Sequence, residues 1–209
     1  MSYPLVVLAL ESESQGRLEK LGCEVLYTGL GKVNAAHALT RRLHRAPGRR
    51  FSYVLNLGSA GSGTFRTGSL VAADRFVQRD MDMTPVGFAY GETPYENIPA
   101  MLSFPKRFPH LPHGVCGSGD TFLQGPPPIA CDIVDMEAYA LAKVCYAESV
   151  PFACVKYITD GADHNAHTDW QENLVEAARI FETLLKGEFE VEPAHAVVGS
   201  SEGDVAPRP

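Results

Sequence analysis

The stretch "VPFACVKYITDGAD" (150–163) sets the fold: a run of β-favouring apolar residues that closes on two acids, Asp160 and Asp163. Just before it, "IVDMEAYALAKVC" (133–145) places two carboxylates, Asp135 and Glu137, on either side of Met136 at the head of a helical pattern. Outward from this pair the chain repeats the same alternation of short β-rich runs and helical periods, the mark of α/β layering. Strands are expected at "PLVVLAL" (4–10), "CEVLYT" (23–28), "SYVLNLG" (52–58), "SLVAADRFVQR" (69–79), "GVCGSG" (114–119) and "PFACVKYIT" (151–159).

Helical patterns follow most of them. "SESQGRLEKLG" (12–22) offers Ser12 or Ser14 as an N-cap and Gly22 as a stop, and "KVNAAHALTRRLHRA" (32–46) puts Val33, Ala36, Leu39 and Leu43 on one face. A third helix is expected from Asp135 to about Ala147, and "TDWQENLVEAARIFETLLKG" (168–187) reads as a long amphipathic fourth. Five prolines make 92–113 an irregular loop, and "QGPPPIAC" (124–131) is a second. The sequence has no internal repeat. One domain, 1–186, is expected, with 187–209 a mobile tail rich in Pro, Gly, Ser and acid.

At 209 residues, with 45% hydrophobic and 21% charged residues, the chain has the composition of an ordinary globular protein with one sizeable core. A net charge of −7 argues against nucleic acid or an anionic membrane as the main partner, since both need a basic face. No window approaches a membrane span, and "MSYPLVVLALESES" lacks a basic leader. Five cysteines without a C-x-x-C pair fit buried free thiols in a reducing cytoplasm better than a metal or disulfide framework.

In an open α/β sheet, ligands bind beyond the carboxyl ends of the strands. At such positions stand Glu11 and Glu13, the "GSAGSG" loop (58–63), "SGDTFL" (118–123) and "TDGAD" (159–163). Asp135 and Glu137 join them if the preceding "CDIV" is a short strand. Each has a plain structural alternative. Acids at a helix start complement its dipole, Asp160 before Gly161 suits a turn, and glycine-rich loops are common. Their coincidence at one sheet edge favours a site built of carboxylates, backbone amides and a serine, with no cofactor and no metal. Cleavage at an anomeric carbon needs such a set: an acid for the leaving group, a base for water, and acceptors for sugar hydroxyls.

"GLGKVNAAHA", "NLGSAGS", "GSGDTFL", "VDMEAYALAKVC" and "VPFACVKYITDGAD" together, in this order and spacing, resemble the nucleoside phosphorylase superfamily over about residues 5–185. The resemblance is greatest to its 5′-methylthioadenosine/S-adenosylhomocysteine nucleosidases. It implies an α/β/α sandwich with a mixed, partly barrel-like sheet, usually in a homodimer. It further implies that Glu13, ahead of Glu11, activates water, and that Asp160 protonates or hydrogen-bonds N7 of the leaving purine. Ser59 would sit near the water and ribose, and Phe122 and Leu123 would hold the purine. Met136 and Glu137 would contact ribose. Met83, Val86, Phe88 and Trp170 would line an apolar pocket for the 5′ substituent, partly from the partner subunit.

Three departures accompany the resemblance. Lys156 stands where these nucleosidases have arginine, the 13–29, 92–113 and 124–131 stretches are short, and His164 and His167 follow the last motif. A related phosphorylase would carry a phosphate-binding arginine two residues before the Gly-Ser of the glycine loop. Here that residue is Asn56, with Arg66 or Arg79, further along the chain, able to supply a cation if the loop folded it inward. A phosphorylase, a futalosine-type hydrolase and a non-catalytic nucleoside binder are the alternatives.

Overall fold

The computed structural model describes residues 4–45, 51–161 and 166–191, without the side chains of 166–172, 174 and 189–191. Eight strands run in the order β1 (Leu5–Leu8), β2 (Glu24–Tyr27), β3 (Val54–Gly61), β4 (Leu70–Gln78), β5 (Met101–Ser103), β6 (His113–Ser118), β7 (Ile133–Asp135) and β8 (Phe152–Asp160). Three helices accompany them, α1 (Lys32–His44), α2 (Ala138–Ala147) and α3 (Ala166–Val191).

The sheet follows β2-β1-β3-β7-β6-β4-β5, and β8 closes it by pairing with both β3 and β4. Strands β3, β7, β6, β4 and β8 therefore form a ring, the barrel-like part of a mixed sheet. β3–β8, β4–β6 and β6–β7 pair in parallel, while β3–β7 and β4–β8 are antiparallel. Strands covered on both faces need apolar residues at every position rather than at alternate ones. β8 is buried throughout, and β1 sends Leu5 and Val7 to one core, Val6 and Leu8 to the other. The first core packs under α1 and α2, and the second under Ala177, Phe181 and Leu185 of α3. This is the expected three-layer α/β/α arrangement, with the central sheet partly rolled.

Four local expectations need correction. The 12–22 stretch is no α-helix but two single 3₁₀ turns, Glu11–Glu13 and Glu19–Leu21, because Gln15 and Gly16 between them both adopt positive φ. Gly22 does end the segment, in the left-handed conformation. The proline-rich 92–113 stretch contains a three-residue edge strand, β5, antiparallel to β4, on the sheet margin where neighbouring prolines cost no ladder bonds. α2 begins at Ala138 rather than Asp135, since "IVD" is spent on β7. α3 continues through Gly187 to Val191, past the point where the tail was placed, and 192–209 lie outside the described residues. No described helix is long and apolar enough to cross a membrane.

Candidate active site

The carboxyl ends of β1, β3, β7 and β8 open onto one cavity of about 190 Å³. Its walls include Glu13, Ser59, Phe122, Leu123, Met136, Glu137 and Asp160. Seven residues read from separate sequence motifs are thus brought together. Glu11 is exposed and outside the cavity, so the 3₁₀ turn after β1 selects Glu13 of the two acids.

Glu13 is 4% exposed, and its carboxylate is held by four donors. Oε2 accepts from the Ala9 and Leu10 amides, each at 3.1 Å, which ties it back to its own turn. Oε1 accepts from the Ser59 amide at 2.9 Å and the Ser59 hydroxyl at 3.0 Å, across to β3. Gly58 permits this crossing, since a Cβ there would lie 3.2 Å from Glu13 Oε1 and 3.3 Å from Lys156 Nζ.

Asp160 reaches the cavity through an irregularity of register. β3 and β8 pair one-to-one up to Ala60↔Ile158, after which Gly61 pairs with Asp160, leaving Thr159 as the extra residue. Such a bulge re-aims the side chains beyond it. Both Thr159 and Asp160 line the cavity, and Thr159 Oγ1 donates to Asp160 Oδ2 at 2.8 Å.

Asp135 and Glu137, two residues apart, have opposite electrostatic settings. Asp135 Oδ2 meets the Lys156 ammonium at 2.8 Å and the Ala138 amide at 2.9 Å, and Oδ1 accepts from Ser118 Oγ. Burial alone would push its carboxyl up, but Lys156 and these hydrogen bonds outweigh that and hold it below the usual range. Burial would likewise push Lys156 down, yet Asp135, followed by Cys154, Cys116 and Glu137, raises it instead. Glu137 accepts from the Gly31 amide at 2.8 Å. Burial first, then the charge of Asp135, push Glu137 up to about 7, against the pull of Lys156 and Gly31. The helix-start alternative is therefore true of Asp135, which binds the first amide of α2, and not of Glu137, which makes no side-chain cap.

Lys156 is 2% exposed and not part of the cavity wall. It lies behind that wall, with Asp135 at 2.8 Å and a Cβ at Gly58 3.3 Å from its Nζ. Asn56 is buried in the core, where its amide donates to the carbonyls of Val7 and Leu57. Arg66 is exposed and outside the cavity, whereas Arg79 is 2% exposed and lines it. Arg79 is a wall residue that sequence reasoning weighed only as a cation for phosphate.

Met83, Val86 and Phe88 lie on the 81–91 segment, which does not line the cavity within one chain. Val86 is 63% exposed, and Phe88 packs edge-on against Tyr95. Trp170 falls in α3 and His167 beside it, but neither side chain is described, and Asp163 and His164 lie outside the described residues. No group of His, Cys, Asp and Glu fit to hold a metal ion occurs among the described residues. The five cysteines are unpaired, and burial raises the thiols of Cys116, Cys145 and Cys154 out of the reactive range.

Residues 13–187 match the phosphorylase superfamily. A 5′-methylthioadenosine/S-adenosylhomocysteine nucleosidase from Geobacillus thermodenitrificans is 33% identical over 196 residues, covering 83% of this chain and 81% of the relative. The Haemophilus influenzae protein of the same name is 33% identical over 194 residues, covering 83% of both. Among solved structures, a Helicobacter pylori nucleosidase of this kind, complexed with a substituted pyrrolidin-3-ol, superposes with a TM-score of 0.80 at 22% identity, over 90% of this chain and 98% of that one. A futalosine hydrolase from Helicobacter pylori superposes equally well, at 0.80 and 21% identity, over 91% and 99%.

Proposed function

Because the chain belongs to the phosphorylase superfamily, we propose that its cavity hydrolyses the N-glycosidic bond of a purine ribonucleoside carrying a modified 5′ position, of the methylthioadenosine or adenosylhomocysteine type. The observation that carries this reading is the buried Glu13 carboxylate, immobilised by four donors on a wall it shares with Glu137 and Asp160.

Water attacks the anomeric carbon as the bond to the purine breaks, and Glu13 takes the proton that the water sheds. The bonding pair leaves on the purine, and Asp160 delivers a proton to its N7, so the products are free base and free sugar. Four donors fill the roughly four lone-pair sites of a carboxylate. Three of those at Glu13 are backbone amides fixed by the fold, so the Ser59 hydroxyl is the donor that rotates away to admit water. Glu137 accepts from the 2′ and 3′ hydroxyls beside Met136, and Phe122 and Leu123 hold the base.

Met83, Val86, Phe88 and Trp170 complete the 5′ pocket in a cytoplasmic homodimer, in which a second copy covers the exposed Val86 and Tyr95. Sedimentation at a dimer mass is the expected result. Phosphorolysis is the competing chemistry. It is disfavoured by Asn56, a neutral amide already spent on core carbonyls where a phosphate-binding cation would stand. Base release in buffer with and without phosphate, with the sugar product identified, tests the whole reading. Free sugar and indifference to phosphate are expected, and strict phosphate dependence with a sugar 1-phosphate product would overturn it.

A further inference from the structure

The β4–β6 ladder ends where the Arg79 amide donates to the Ser118 carbonyl at 2.9 Å. Beyond it the chain must turn at Gly119, Asp120 and Thr121 to bring Phe122 and Leu123 to the cavity wall. That turn leaves the sheet with its backbone polar groups in need of partners. Two consecutive residues just past β4 supply three of them. Arg79 Nη2 donates to the carbonyls of Gly119, at 3.1 Å, and Thr121, while Nη1 donates to Thr121 Oγ1 at 3.1 Å. Asp80 Oδ2 accepts from the Asp120 amide at 2.9 Å, and its Oδ1 meets Lys32 Nζ at 2.5 Å. The Lys32 amide in turn donates to Asp120 Oδ1 at 2.7 Å, which fastens the turn to the start of α1.

From this geometry we propose that Arg79 and Asp80 form a two-armed clamp on the 119–121 turn, and that the clamp sets the affinity of the adjoining 122–123 segment for the purine. The inference rests on the reading that the cavity binds a purine nucleoside. Arg79 is a positioning residue here: its guanidinium acts through the turn. The site is built around it, because a Cβ at Gly119 would come within 2.9 Å of Arg79 Cζ and Nη1. A planar fork spans two carbonyls and a hydroxyl at once, whereas an ammonium is a single point donor and cannot. The clamp also explains why a cation lies on this wall. Its Nη groups are directed at the oxygens of the turn.

The test uses the full chain with Arg79→Lys, Arg79→Met and the milder Asp80→Asn, each measured for kcat, KM, affinity for free adenine, melting temperature, and amide hydrogen exchange over 118–123. Loss of the fork is expected to weaken adenine binding and raise KM together by about tenfold or more, with kcat changed less than about threefold. Asp80→Asn should give a smaller shift in the same direction at a wild-type melting temperature. Exchange at 119–123 should quicken in all three variants, with or without ligand. Unchanged adenine affinity in both Arg79→Lys and Asp80→Asn, or a loss confined to kcat, would overturn the clamp. A wild-type protein that releases no purine would overturn the proposed function instead, and the exchange data would still report whether the pair holds the turn.

Discussion

The two halves of the cavity are made differently. Glu13, Ser59, Glu137 and Asp160 stand on strand ends or on the turns next to them. The three acids are 4–7% exposed, and each has a bonded partner: Ser59 of β3 for Glu13, the Gly31 amide at the head of α1 for Glu137, and Thr159 of β8 for Asp160. Phe122 belongs to a turn beyond the sheet and is 47% exposed. Groups that must meet a reacting atom gain from a rigid mount, because small misplacements are costly in rate. A face that stacks on a base tolerates more play. The difference predicts that damage to Glu13 or Asp160 will appear in the chemical step, and damage to the loop-borne half in binding.

The largest expected effect lies in the rigid half. Asp160→Asn and Glu13→Gln should each lower kcat by about 10²–10⁴-fold with the fold kept, as removal of a general acid or base does. Steady-state rates beside circular dichroism check this, and either variant with wild-type turnover would break the comparison. Next comes the ion pair behind that half. Lys156→Met leaves Asp135 buried without its cation, and denaturant titration should show a loss of about 3–5 kcal/mol. Lys156→Arg, which keeps the charge, should lose much less.

Glu137 sharpens the comparison through pH. Its carboxyl is raised to about 7 from an ordinary 4.5, so the folded state holds the proton more tightly than the unfolded chain does. The stability this contributes is complete below pH 4.5 and lost as pH rises to about 7. Glu137→Gln should therefore gain stability relative to wild type as pH rises through that window, reaching about 3 kcal/mol above it. If the ionised carboxylate accepts the ribose hydroxyls, KM should fall as pH rises through 7, and 2′-deoxy substrates should lose about 1–3 kcal/mol of binding. A flat pH profile would remove Glu137 from the ribose. The smallest effect is expected at the loop: Phe122→Ala should weaken binding by about 1–3 kcal/mol, as loss of base stacking does, with kcat nearly intact.

Much of this half-and-half construction was legible before any coordinates. Glu11 and Glu13 together, Asp160 and the "VDMEA" and "SGDTFL" motifs stand out by residue type and by position after apolar runs, and all but Glu11 reach one cavity. What was not legible is the partnering. Asp135 and Glu137 look alike in sequence, and only the Lys156 ammonium against Asp135, set beside burial and the charge of Asp135 at Glu137, gives them opposite settings. Arg79 carried no signal of its own, because the carbonyls it grips belong to a turn forty residues away.

By itself, then, the sequence determined what local physics encodes. Apolar runs long enough for a strand and too short for a membrane span specify buried strands, helical spacing specifies α1, the body of α2 and α3, and acids after strand ends mark the edge where the cavity opens. The tertiary structure alone decided the rest. It closed the ring through β8, inserted Thr159 as the bulge that turns Asp160 into the cavity, and broke the 12–22 segment into 3₁₀ turns so that Glu13 rather than Glu11 faces Ser59. The physical reason is common to all three. A hydrogen bond or ion pair between distant segments depends on register and on what else is buried beside it, and neither is a property of any short stretch of chain.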